Sequence, residues 1–219
     1  MKKKAQLDQF AVDIEFLLIS VIQGVALGAL ASNAAKPIGD LQFEYWLYIA
    51  SGFLFILNFW SQAIIHTVSF IDWPLDLTHN FLYFLVSFIE VMAFSHLTDP
   101  LRWFAFISAF FVAALVLYIF DLYLIYQHKP KFEDSVARKH LYKHIHAREQ
   151  FELKIFLPGA ILFNILAILA ILAFPHLFLA NHYHLVLISA QTLLNVVFLV
   201  NSLLNFRKRS ELISTSFNL

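Results

Sequence analysis

The sequence contains no cysteine, which excludes disulfides, thiolate metal sites and a cysteine nucleophile. Charge is scarce as well. Only 14% of the 219 residues are Asp, Glu, Lys or Arg, against about a quarter in ordinary soluble domains. No GxSxG, HExxH, paired-aspartate or glycine-rich phosphate motif is present, so the expectation is a protein that is not an enzyme and that needs no cofactor. The start, MKKKAQLDQF, is basic but has no small-residue cleavage site, and reads as a retained cytoplasmic end rather than a signal peptide.

What the chain has instead is apolar length. It is 60% hydrophobic and 17% aromatic, with a mean hydropathy of +0.72. Stretches of about 20 residues nearly free of charge match a hydrocarbon core of about 30 Å at 1.5 Å per helical residue. Six such segments stand out, at about 13–34, 45–69, 80–98, 101–126, 152–175 and 183–206. Asp72, Pro74, Pro100, Pro130 and Pro175 fall at or beside segment ends, where a proline interrupts no helix ladder. The expectation is an all-α polytopic membrane protein, a single transmembrane domain of six helices with a basic cytoplasmic segment at 127–150.

Orientation follows from the basic residues. With the N-terminus inside, 13 of the 15 Lys and Arg residues lie on the inner side, leaving Lys36 and Arg102 outside. Six crossings return the C-terminus to the same side, so both termini are expected to be cytoplasmic, in a bacterial-type cytoplasmic membrane. Trp46 and Trp103 near outer helix starts, and Trp73 near an inner boundary, read as interfacial anchors. Segment 131–150 reads as a helix starting near Asp134 and Ser135, with sparse apolar positions at Val136, Leu141, Tyr142 and Ile145. Its Arg138, Lys139, Lys143 and Arg148 suit anionic headgroups or a cytoplasmic protein partner. A solvated basic linker is the other reading.

A polar belt crosses the apolar segments. The midpoints of five of them carry Gln23, Asn58, Glu90, Asn164 and Asn195. Helical spacing puts Ser51, Asn58 and Gln62 on one side of the second segment. Asn80, Ser87 and Glu90 share a side of the third, and Gln191, Asn195 and Ser202 a side of the last. Such groups are expensive in lipid and should face the interior. They serve either as interhelical hydrogen-bonding glue or as the lining of an ion path with Glu90 as its titratable group. Ser20, Gly24, Gly28 and Ser32 recur every four residues and include a GxxxG pair, a pattern for close helix packing within the bundle or between subunits. Asp13, Glu15 and Asp121 lie near inner helix ends at the level of Lys154, as a boundary salt bridge or an acidic vestibule.

Ten histidines are many for so apolar a chain. His140 and His144 have metal-ligand spacing, but Lys139 and Lys143 flank them; His176, His182 and His184 cluster without an acidic neighbour in sequence. His66 and His96 lie nearer the membrane ends. No metal site is assigned.

The stretch SGFLFILNFWSQAIIHTVSFIDWPLDLTHNFLYFLVSF, residues 51–88, resembles helices 2 and 3 of the bacterial six-helix relatives of the endolysosomal-type potassium channel family. The matching positions are Ser51, Trp60, His66 and Asn80. The family's Arg followed by Phe-Ser-Asp early in helix 1 is replaced here by QFAVDIEF. The resemblance implies six helices, cytoplasmic ends and cation conduction. Together these observations lead to the expectation of a small channel or transporter for a cation or proton, homo-oligomeric in the lipid bilayer and contacting no nucleic acid. The alternative is a non-conducting sensor or anchor subunit that recruits a cytoplasmic partner through segment 131–150.

Overall fold

In a computed structural model the chain is all-helical, with no strand among the described residues, which are 2–69, 77–128 and 136–217. Trp73, Asp72, Pro74, Pro130, Asp134 and Ser135 lie outside them, and the side chains of Glu15 and Arg138 are not described. The helices are α1 (Lys2–Gly39), α2 (Trp46–Ser69), α3 (Leu77–Phe94), α4 (Pro100–His128), α5 (Val136–Phe151), α6 (Leu157–Ala173) and α7 (His184–Phe217). Five stretches are long and apolar enough to cross a membrane, in α1, α2, α4, α5–α6 and α7, and α3 is a shorter apolar helix.

The helices run back and forth through one bundle. α2 packs on α7 and α1, α3 on α4 and α1, and α4 on α6. One end gathers the start of α2 (Tyr48), the end of α3 (Phe94) and the starts of α4 (Trp103) and α7 (His184). The other end gathers the last turns of α2 and α7, the first turn of α3 and all of α5; it is called the α5 end below.

Large apolar side chains are turned outward all along the bundle, among them Val25, Phe81, Phe88, Leu162 and Val197 at 57–67% exposure. Polar ones, Gln23, Ser51, Asn58, Glu90, Asn164 and Asn195, are buried. Water would not support that distribution, whereas lipid does, because tails solvate the apolar exterior and helices adhere through packing and internal hydrogen bonds. The packing half of this is aromatic. Phe55, Phe59, Tyr83, Phe110 and Phe111 meet at centroid distances of 4.6–5.6 Å. Trp103 is fully buried, edge-on to Tyr48 at 5.5 Å.

The Trp103 placement corrects the expectation of an interfacial anchor. Its ring fills the core and its Nε1–H donates to Gln191; Trp46 is exposed as expected. Within the bundle, the close helix approach lies away from the Ser20–Ser32 stripe. Ser20, Gly24, Gly28 and Ser32 all face outward, and a Cβ on either glycine meets nothing within 4 Å. The tight crossing is at Gly52 of α2, where a Cβ would lie 2.9 Å from Leu30 and 3.1 Å from Phe94.

Segment 136–151 is a helix that packs on α7, burying Leu141 and Ile145 while leaving Val136, Lys139 and Lys143 exposed. It continues into α6 through a π-helical turn, Glu152–Phe156. Pro158 stands just beyond. Its nitrogen cannot donate to the carbonyl four residues back, and a wider turn absorbs that lost bond.

Candidate functional site

Every member of the sequence-defined belt points into the bundle. Gln23, Asn58, Ser87, Glu90, Asn164, Gln191 and Asn195 are at most 6% exposed, and Gln62 is half-buried. Most of the belt is spent on joining helices. Asn58 Nδ2 donates to the Asn195 carbonyl at 3.1 Å, and Asn195 Nδ2 to Ser51 Oγ at 3.2 Å, tying α2 to α7. Gln62 Nε2 donates to Ser202 Oγ at 2.7 Å on the same seam. A relay joins α4, α7 and α6: Trp103 Nε1 to Gln191 Oε1 at 2.8 Å, then Gln191 Nε2 to Asn164 Oδ1 at 2.8 Å. Bonds of this kind average only about 0.6 kcal/mol each in a membrane protein, so the amides act as distributed fasteners.

Glu90 is different. It is 0% exposed, yet neither carboxyl oxygen has a hydrogen-bond partner. Gln23 approaches it, but the Gln23 amide nitrogen is aimed at Ser87 Oγ, 3.5 Å away, and the Gln23 Oε1 is also left without a donor. Three oxygen atoms thus lie together at mid-bundle without a well-formed hydrogen bond, the Gln23 amide being the group that approaches the carboxyl. Unpartnered buried polar groups cost about 1–3 kcal/mol each, so this is a place where stability is given up.

Toward the α5 end lies a cavity of about 80 Å³, room for several waters at roughly 10–15 Å³ each. Asn58, Gln62 and Asn195 line its deep part. His66, His79, Asp121, Glu149 and Arg209 line the part toward α5, and phenylalanines form much of the remaining wall. Ile19 and Tyr83, also in the wall, stand four residues before Gln23 and Ser87 on the same helix faces. Glu90 is not among the residues lining the cavity, and on α3 it stands seven residues, about 10 Å of rise, beyond Tyr83. On the far side, Tyr48, Phe94, Trp103 and Phe104 are fully buried and close the bundle. Tyr48 Oη lies 3.0 Å from His184 Nδ1, and Glu44 Oε2 lies 2.9 Å from His182 Nδ1. That acidic partner for His182 was hidden in sequence, because it comes from the α1–α2 turn.

Three side chains converge on the cavity wall from separate helices. His66 Nε2 is 3.6 Å, and His79 Nε2 3.3 Å, from Asp121 Oδ1. The two imidazoles stack at 5.6 Å with planes 14° apart. Nothing in the sequence joins them: they stand 13 and 42 residues apart, and only the packing of α2, α3 and α4 brings them together. The expected pairing of Asp121 with Lys154 does not form, since Lys154 Nζ donates to Gln150 Oε1 at 2.6 Å. Of the basic residues proposed for a surface role, Lys139 and Lys143 are exposed, whereas Arg148 is tucked inward in an ion pair with Glu152. No family model, curated protein or solved structure matches the chain.

Proposed function

We propose that the chain is a transporter of a proton or small cation, resident in a bacterial-type cytoplasmic membrane with both termini inside. The observation that carries this is Glu90: a carboxyl buried at mid-bundle with neither oxygen hydrogen-bonded, two turns along α3 beyond the cavity wall at Tyr83. A group kept there at a cost in stability is a functional candidate in a membrane helix. The cavity on the α5 side and the aromatic closure on the other are the two halves that alternating access requires around a midplane site. They favour a transporter over an open pore. Asn58, Asn195 and Gln62 carry polar wall from the belt toward the α5 end. The distribution of basic residues supports a cytoplasmic α5 end.

The deciding experiment is flux into liposomes holding the purified protein. Glu90→Gln keeps size and hydrogen-bonding capacity but removes the exchangeable proton. Flux is expected to fall or to lose its pH dependence while the protein elutes as the parent does. Parental flux at every pH in Glu90→Gln would remove Glu90 from the path. A second reading keeps one observation in its favour. Lys139 and Lys143 project from a helix whose apolar face is already packed, which suits an acidic partner or anionic headgroups. Absence of flux from the parent protein, together with weakened vesicle binding in Lys139→Glu/Lys143→Glu, would shift the assignment to an anchoring subunit.

A further inference from the structure

The geometry points to a binding site for one divalent transition-metal ion, of which zinc is the best fit, at His66, His79 and Asp121. The three ligand atoms lie within 4.8 Å of one another. An ion held tetrahedrally at about 2.1 Å needs ligand atoms about 3.4 Å apart. The His79 Nε2–Asp121 Oδ1 and His66 Nε2–Asp121 Oδ1 separations, 3.3 and 3.6 Å, already have that length. The residues come from the end of α2, the first turn of α3 and the second half of α4, so three helices fix the constellation. Near-parallel stacking brings both imidazoles to bear through the same nitrogen on one carboxylate oxygen.

The donor set selects the class of ion. Two imidazoles and one carboxylate suit zinc, cobalt, nickel or iron, whereas calcium and magnesium want all-oxygen shells. All three residues line the cavity, so a site with three protein ligands keeps a position open to water. Charge does not oppose the ion. Arg209 faces His66, but it also faces Glu149 and Glu152, and Arg148 pairs with Glu152. With Asp121, carboxyl groups offset the two guanidinium ions around the site. The site lies in the cavity that the transport reading uses, but its ligands are distinct from Glu90, on which that reading turns.

The test uses tag-free full-length protein, stripped with a chelator, loaded with zinc chloride or cobalt chloride and passed through gel filtration. About one ion per chain is expected, and cobalt should give the strong visible absorption of a four-coordinate site. His79→Gln and Asp121→Asn should each weaken zinc binding by tenfold or more. His140→Ala, at an exposed position of α5, and Glu90→Gln should keep it. If His79→Gln does not fold, the parent protein still decides. Stoichiometry well below one in the parent, or cobalt bound only with a weak six-coordinate spectrum, overturns the site. Unchanged affinity in folded His79→Gln and Asp121→Asn does the same. Metal retained in a Glu90→Gln variant that has lost flux would separate the two conclusions.

Discussion

Replacing Glu90 by leucine should make the protein more stable. The carboxyl is fully buried and both its oxygens lack partners. Leucine is similar in length, adds no polar atom and breaks no hydrogen bond that the structure contains. Relief of one unpartnered buried polar group amounts to about 1–3 kcal/mol. For a chain of this size, each kcal/mol moves the melting temperature by roughly 2–4 °C, so Glu90→Leu should melt about 2–12 °C higher in detergent. The assay is thermal unfolding of purified parent and variant in one detergent, with flux measured on the same preparations. A variant that is more stable and inactive is the signature of a group kept for function. Glu90→Gln should gain less, because its new amide donor can meet the free Gln23 oxygen while its own carbonyl remains unpartnered. A lower melting temperature for Glu90→Leu would refute this reasoning, for it would show the carboxyl to be an interhelical fastener like the amides around it.

Other substitutions probe the frame. Gly52→Ala places a methyl 2.9 Å from buried Leu30; overpacking of about 1–3 kcal/mol, offset by about 1 kcal/mol of helix propensity, should leave a net loss, and Gly52→Val should lose more. A parental melting temperature for Gly52→Val would mean that α1 and α3 can retreat. Gln191→Leu strands both Trp103 Nε1 and Asn164 Oδ1, so a loss of about 1–3 kcal/mol is expected, read as thermal stability against the parent. A Cβ at Gly24 meets nothing within 4 Å and the position faces outward, so the fold should persist in Gly24→Leu; if subunits associate through this face, the elution volume shifts to a smaller species, and an unchanged volume leaves the stripe to lipid. Cysteines introduced singly at Asp40 and Ala180 should react with an impermeant thiol reagent added to intact cells, and one at Lys143 should not, with no native thiol to confuse the count.

The apolar spans were legible because a helix of lipid-crossing length leaves a run that no soluble pattern imitates. Belt positions such as Asn58 and Asn195 were legible because polar groups in such runs have only the interior to face. The partners were not. Depth says that Gln191, Asn164 and Trp103 share a level, but only the packing of α4, α6 and α7 makes them a relay. The same gap hid the His66–His79–Asp121 convergence, since its members are 13 and 42 residues apart in sequence. Periodicity alone does not find the close approach within the bundle: Gly24 and Gly28 face outward, while the glycine that two helices press against is Gly52, alone in an aromatic segment.

The π-helical turn at 152–156 acts as a phase shifter. Along α5 and α6 the buried positions run 141, 145, 149, 152, then 157, 164, 167 and 171. Elsewhere these steps are three, four or seven, and only across the turn is there a step of five. The extra residue rotates everything before it by about 100° relative to everything after, one residue's share of a 3.6-residue turn. It is what allows Glu149 and Leu157 to look into the same cavity from one continuous rod. Deleting a single residue between 153 and 156 would leave both helices intact and unbroken. It would nonetheless swing Leu141, Ile145 and Glu149 off α7 and present a different face of α5 to the bundle. Length conservation at this point therefore matters more than residue identity, and a one-residue gap there is a harsher change than most substitutions around it.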